Sequence, residues 1–247
     1  NIPNINMLYE YAMDNSEYVM IKEMFMSALF FNTAAAMALR NIRIKRKSNN
    51  KDKIIIPNYF GVTFGNSGIG KNHSDNIARS IYKPMFEKFN DRAYTFFEAR
   101  RDEKRVPDPR YLNMSSYFVP VTSSWQALQK AAQTVKDMDV GAVNVISDEL
   151  GDTIMQMADI FTKLKSTWDT GQSEGPLNVT SGGEAYFLVE NVVFNALMFG
   201  APAPFELTPA KKDRLLETYV SGMARRSFIY HNNTYKKSEN RNSLFEK

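Results

Sequence analysis

An α/β fold with a mainly parallel sheet flanked by helices is what this 247-residue sequence predicts, on three observations. Apolar runs rich in β-branched and aromatic residues alternate with segments of helical periodicity through the middle of the chain, the pattern of parallel strands joined by crossover helices. One such run, Tyr59 to Phe64, passes directly into a glycine loop that opens a helix. Another, "AVNVIS", ends on two adjacent acids, Asp148 and Glu149.

The elements follow in order. Residues 17–39 hold good helix formers with Tyr18, Ile21, Phe25, Leu29 and Ala36 at helical spacing, so a helix ending near Arg40 is expected. "IRIKRK" alternates as a short strand does, and "SNNKDK" reads as a polar turn before the strand at 59–64. From Asn72 to about Arg105 the pattern is helical, with Pro84 kinking or dividing it. After the charged connector "RRDEKRVPDPR" comes a strand at Ser116 to Thr122, weakened by Pro120. A helix from Ser123, whose spacing to Gln126 fits a capping box, runs to about Met138. "AVNVIS" is the next strand, and a helix over about Leu150 to Lys165 carries Ile154, Met157, Phe161 and Leu164 on one face. "STWDTGQSEGP" is a loop, and "EAYFLVENVVFNALMFGAPAP" reads as one or two strands closed by Pro202 and Pro204. A helix from about Pro209 to Ala224 and a strand at "RSFIY" complete the ordered part. The expected organisation is an N-terminal helical segment with a basic strand and loop over 1–53, a core over 54–230, and a polar, flexible tail over 231–247.

Composition narrows the function classes. With 43% hydrophobic and 23% charged residues the chain can bury one sizeable core. No apolar run reaches the length of a membrane span, because Asn32 and Thr33 interrupt the longest one, so no membrane partner is expected. A basic region before that run, as a secretory signal would need, is missing, and the opening on Asn1 rather than Met is what a fragment or processed chain would give. Zero cysteines exclude disulfides and thiolate metal sites and fit a reducing compartment, and two histidines, His73 and His231, cannot build a histidine zinc site. The net charge of +4 is unevenly spread: +3 over 1–53, +3 over 54–110, −7 over 111–210 and +5 over 211–247. The densest patch, Arg40 to Lys53, sets seven basic residues against Asp52. Such a patch serves either as solvated charge that discourages edge pairing or as a contact for nucleic-acid phosphates.

In "FGNSGIGKNHSD" the residues Gly65, Asn66, Ser67, Gly68, Ile69, Gly70, Lys71 and Asn72 have the spacing of a phosphate-binding loop. Glycines let backbone N–H groups turn around phosphate oxygens, the lysine brings a point charge to the β and γ phosphates, and the helix start favours an anion. The structural alternative is a tight strand-to-helix turn with glycine for steric reasons. About 80 residues on, Asp148 and Glu149 supply what such a site still needs: an aspartate for Mg²⁺, expected on a strand beside the loop strand, and a glutamate to polarise the attacking water. Asn72 departs from the pattern, for a serine or threonine there would give its hydroxyl to Mg²⁺, whereas asparagine offers a carbonyl oxygen. Ser74 substitutes for it only if the helix start is displaced.

With these motifs placed, the succession "NIRIKRK…IIPNYFGVTFGNSGIGKN", "VPVTSSWQALQ", "VNVISDELGDTI", "FTKLKSTWDTG", "VVFNALMFGAP" and "SGMARRSFIY" resembles a widespread family of phage and mobile-element ATPases that includes the helicase part of primase-helicases. The resemblance spans about residues 15–230 and rests on the phosphate loop and on the order and spacing of the other segments. It implies a RecA-like P-loop core using ATP and Mg²⁺, a homo-oligomeric ring acting on DNA, single-stranded above all, during replication, a primase domain or protein as a further partner, and the cytoplasm of a phage-infected or element-carrying bacterial host. It also implies that Arg225 or Arg226 of "GMARR" reaches a neighbouring subunit's nucleotide, against the alternative of surface arginines at a helix end. Thr122 to Ser124 would be a loop sensing nucleotide or DNA. A polar sensor is expected where the strand after "ENVVF" ends, yet Gly200, Ala201 and Pro202 stand there, and Asn195 is the nearest polar residue. Three readings stay open: a helicase-like ATP-driven DNA motor, a nucleotide binder that holds an assembly together, and another P-loop enzyme such as a packaging ATPase or a small-substrate kinase.

Overall fold

The computed structural model describes residues 5–14, 22–48, 51–66, 70–98, 118–120, 125–166, 168, 180–181, 184–185 and 191–232. In chain order these form α1 (Ile5–Asp14), α2 (Lys22–Leu39), β1 (Ile44–Ser48), β2 (Lys51–Ile55), β3 (Phe60–Gly65), α3 (Lys71–Ile81), α4 (Lys83–Glu98), β4 (Phe118–Pro120), α5 (Trp125–Asp137), β5 (Ala142–Ser147), α6 (Leu150–Ser166), β6 (Thr180–Ser181), β7 (Glu184–Ala185), β8 (Val193–Gly200), α7 (Ala203–Leu207), α8 (Pro209–Thr218) and β9 (Phe228–Asn232). A π-helical turn (Tyr219–Met223) and a 3₁₀ turn (Ala224–Arg226) lie between α8 and β9.

The expected α/β architecture is present. Five strands pair in the order β4-β5-β8-β3-β9, every pair parallel. The chain leaves β3 for the far edge at β4, returns through β5 to β8, then passes β3 to reach β9. Since crossovers are right-handed, this reversal puts α3 and α4 on one face and α5, α6 and α8 on the other. Their packing agrees: α2 lies across β3, β5, β8 and β9 with α3 and α4 against it, while α5 packs on β5 and α6 on β8 beneath α8. A helix apolar around most of its circumference has to be buried. That explains α2, whose Phe25, Ala28, Leu29, Phe31 and Ala35 join one hydrophobic core with Phe60, Phe86, Leu128, Leu150, Ile154 and Phe199. No helix among the described residues is long and apolar enough to cross a membrane.

Several details depart from the sequence reading. The acidic strand β5 is not beside the loop strand β3, because β8 lies between them. All eight residues of β8 are buried, which is the pattern of a strand covered on both faces rather than one at an edge. Residues 51–55, expected as turn and strand start, pair with β1 as an antiparallel hairpin that forms a sheet of its own. The helix expected to continue to Ala224 stops at Thr218, and Gly222 takes φ 110° inside the π-helical turn, a conformation that an α-helix cannot contain. β9 runs on through His231 to Asn232, past the point where the tail was expected to start. Ser123 and the loop Thr122 to Ser124 lie outside the described residues. Pro84 does divide its segment, with α3 ending at Ile81 and α4 starting at Lys83.

Asn195 sits wholly buried in the middle of β8, remote from that strand's end. Its Nδ2 donates to Asn144 Oδ1 on β5 (2.8 Å), and its Oδ1 accepts from the Tyr59 N–H (2.9 Å), which precedes β3. It is thus a structural tie rather than a sensor. Asn195→Ala leaves these buried groups without that partner, and a loss of about 2–4 kcal/mol is expected in urea unfolding; an unchanged midpoint would show that the tie contributes nothing.

Candidate functional site

In a parallel sheet the carboxyl ends of the strands all face one way, and the loops that follow them line a crevice where strand order reverses. Here the pairings Phe64 with Gly200 and Ser147 with Met198 bring the exits of β3, β8 and β5 to nearly one level. The reversal lies between β3 and β8. The loop 65–71, the exit at Ala201 and the acids 148–149 therefore share one edge of the sheet.

The loop begins at buried Gly65 and exposed Asn66; Ser67, Gly68 and Ile69 are outside the described residues. Gly70 precedes α3 with φ 80° and ψ 25°, in the left-handed region that glycine adopts without steric cost. The first turn of α3, the end at which an α-helix presents backbone N–H groups, therefore lies at this edge of the sheet. Lys71, the first helical residue, folds back so that Nζ donates to the Gly65 carbonyl oxygen (3.0 Å). Burial pushes its ammonium below the usual lysine range, and the nearby Glu149 carboxylate opposes that shift. Lys71 and Glu149, 78 positions apart, thus feel each other electrostatically.

Asn72 is exposed on the first turn of α3. Ser74 is buried, and its Oγ donates to the Gly70 carbonyl (3.0 Å), so the helix start is not displaced and this hydroxyl is engaged locally. Asp75, one turn after Lys71, was not singled out by sequence reasoning. It is buried, accepts from Asn32 Nδ2 (2.8 Å) and pairs with Arg79 four residues on. Burial raises its carboxyl above the ordinary aspartate range, Arg79 and Asn32 oppose this, and Asp148 adds to it. Asp75 therefore anchors the loop helix to α2 and lies within electrostatic range of Asp148. The spacing of Asp75 and Arg79 was a legible helix pair; that Asn32 would meet it from 43 positions away was not.

Asp148 is exposed at the exit of β5, and Glu149 is half-buried before α6. Glu149 Oε1 accepts from the Ala201 N–H (3.1 Å), so the segment leaving β8 contributes a backbone donor that holds the glutamate. Gly151 packs against the same segment: a Cβ there would stand 2.7 Å from Pro204 Cβ and 2.8 Å from Pro204 Cγ. In Gly151→Ala the gain in helix propensity, about 1 kcal/mol, is outweighed by displacing a proline ring, at about 1–3 kcal/mol. A lower melting temperature is expected, with faster hydrogen exchange of the Ala201 amide. An equal or higher melting temperature would show that Pro204 yields freely.

The two arginines are not brought to this edge. Phe228 pairs with Gly61, so Arg225 and Arg226 lie before the amino end of β9, more than about 13 Å along the strands from Gly65 at ~3.3 Å per residue. Arg226 Nη1 donates to its own Gly222 carbonyl (3.1 Å), while Arg225 is exposed. Neither residue can complete the site of its own chain.

No family model, curated protein or solved structure matches the chain. The chemistry of the edge itself therefore carries the functional reading. Helix N–H groups, a lysine, an exposed aspartate and a held glutamate form a polar constellation suited to a phosphorylated ligand. Among the described residues no three His, Asp or Glu side chains converge as a metal site. Mg²⁺ is commonly held by one or two carboxylates together with substrate phosphates. The open oxygens of Asp148 and Asn72 are of the type it takes.

Proposed function

We propose that the chain is a Mg²⁺-dependent P-loop ATPase with a RecA-like core that works as a helicase-like DNA motor in phage or mobile-element replication. The observation that supports this best is the convergence of Lys71 and Glu149 at the carboxyl edge, from opposite sides of β8. On this reading the phosphates of ATP lie over the N-terminus of α3, and Lys71 exchanges the Gly65 carbonyl for a phosphate oxygen. Glu149, fixed by the Ala201 N–H, accepts a proton from the water that attacks the γ-phosphate. Asp148 and Asn72 would hold Mg²⁺, whose chemistry is to neutralise charge on the β and γ phosphates. Exposed Arg225, remote from its own loop, suits a role in the site of a neighbouring subunit in a homo-oligomeric ring. Single-stranded DNA as track, a primase as partner and a bacterial host cytoplasm follow from the family resemblance alone.

A second reading has one observation of its own. The exit of β8 offers no polar side chain, since Gly200, Ala201 and Pro202 stand there and the Ala201 N–H is taken by Glu149. A nucleotide binder that stabilises an assembly and turns over slowly fits this. Steady-state ATP hydrolysis with and without single-stranded DNA, alongside sedimentation, separates the two. DNA-stimulated turnover by a ring is expected of the motor; tight binding without turnover would leave the assembly protein.

A further inference from the structure

Between the end of α2 and the first half of α4 a cavity of about 160 Å³ opens at the surface, lined among the described residues by Leu39, Arg40, Met85, Lys88 and Phe89. The two helices account for its character. α2 stops at Leu39, and Asn41 turns the chain with φ 48°. On α4, Phe86 and Phe89 lie three positions apart and join the core, which leaves Met85 half-buried and Lys88 exposed at the margin. Leu39, Met85 and Phe89 thus make an apolar floor, and Arg40 and Lys88 are two exposed cations at the rim. The neighbouring Ala38 carbonyl accepts from the Gly141 N–H (3.0 Å), just before β5, so the cavity lies toward the amino edge of the sheet, away from the phosphate loop.

Among the described residues no carboxylate pairs with Arg40 or Lys88. Glu87, beside Lys88, is taken by Lys83 (3.7 Å), and the position one turn before Lys88, where an acid would support it, holds Pro84. A cation at a helix C-terminus meets the dipole favourably, which accounts for Arg40. It does not account for Lys88, which stands in the first half of α4. Two unpaired positive charges over a recessed apolar floor suit a ligand that buries one apolar group and meets the rim with carboxylates.

We propose that this cavity docks a partner protein through one aromatic side chain flanked by acidic residues. Size decides the apolar group: a cavity of about 150 Å³ accepts a benzene ring, whereas sites for whole small molecules run to about 300–1,000 Å³. A single aromatic anchor in a pocket, with charged contacts around it, is how a protein segment is commonly held. Met85, unbranched and polarizable, can adapt to the edge of such a ring. Nucleic acid is disfavoured, because bases stack on exposed aromatic faces, and the lining's one aromatic among the described residues, Phe89, is 5% exposed. An acyl chain is longer than a cavity of this size. The inference does not depend on ATP hydrolysis, since none of the five residues belongs to the phosphate-loop edge.

The test is fluorescence anisotropy of a labelled peptide, with two acids on each side of a phenylalanine, titrated with the full chain. Replacing the peptide's phenylalanine by alanine is expected to weaken binding at least about 30-fold, the scale of a buried aromatic anchor. R40Q/K88Q is expected to weaken it about tenfold, the scale of two exposed ion pairs, and K130Q/K136Q, the same charge change on α5, to leave it unchanged. R40E/K88E is expected to lose the acidic peptide and to gain a peptide with lysines in place of the acids, a reversal that a misfolded variant could not give. Absence of binding by the wild type, equal binding of the alanine peptide, equal loss in the α5 control, or no reversal of charge preference would each overturn the proposal. So would tighter binding of a single-stranded oligonucleotide or of anionic lipid vesicles through Arg40 and Lys88. Binding of 3-phenylpropanoate as tight as that of the peptide would make this a small-molecule site instead and overturn it as well.

Discussion

Lys71→Ala is expected to abolish ATP turnover, by at least about 100-fold, the scale on which a preorganised charge is lost from a phosphoryl-transfer site. Its effect on folding is expected to be small. The hydrogen bond from Nζ to the Gly65 carbonyl disappears, but so does the burial of an ammonium whose charged form burial already disfavours. The two contributions oppose each other, and the net change stays within about 1 kcal/mol. Lost nucleotide binding with a retained melting temperature is therefore the signature. Turnover equal to wild type would remove the loop from the mechanism.

Glu149→Gln tests a different function at the same edge. The glutamine carbonyl can still accept from the Ala201 N–H, so the side chain keeps its place, while the general base is gone. The rate constant for hydrolysis is expected to fall about 10²–10⁴-fold with nucleotide binding retained. Glu149→Ala, which loses the hold as well, separates positioning from chemistry. A pH effect follows with a definite sign. The Glu149 charge raises the Lys71 pKa against the lowering by burial, so removing it lets the ammonium lose its proton at lower pH. Nucleotide affinity in Glu149→Gln should therefore decline at a lower pH on the alkaline side than in the wild type. Identical alkaline limbs would contradict the coupling.

What could be read from the sequence was what is local. The loop strand, the turn to a helix at Gly70, the division at Pro84 and the helix after Glu149 are written in short-range patterns of apolar spacing and backbone restriction. Strand order is not local. β8 reads as an apolar run interrupted by Asn195, and nothing in it says that it separates β3 from β5. The hairpin partner of β1 was hidden because its residues are polar enough to pass for a turn. At the site, Lys71 and the acids were legible as residue types, whereas the hold on Glu149 comes from a backbone N–H, which every residue but proline carries. Asp75 and Asn32 met only through the packing of α2 on α3.

The buried asparagines acquire a further meaning from where they sit in the count of residues. A parallel sheet of uniformly apolar strands has little to prevent one strand from sliding against another, and a slip of one residue moves its end by about 3.3 Å while turning its side chains to the opposite face. Asn144 and Asn195 are direct partners in the register of β5 and β8, and Asn195 also grips the backbone at Tyr59. Asp148 follows Asn144 by four positions, Ala201 follows Asn195 by six, and Gly65 follows Tyr59 by six. The polar pair works as a gauge, setting at the centre of the sheet the relative heights at which lysine, glutamate and backbone donor emerge at its edge.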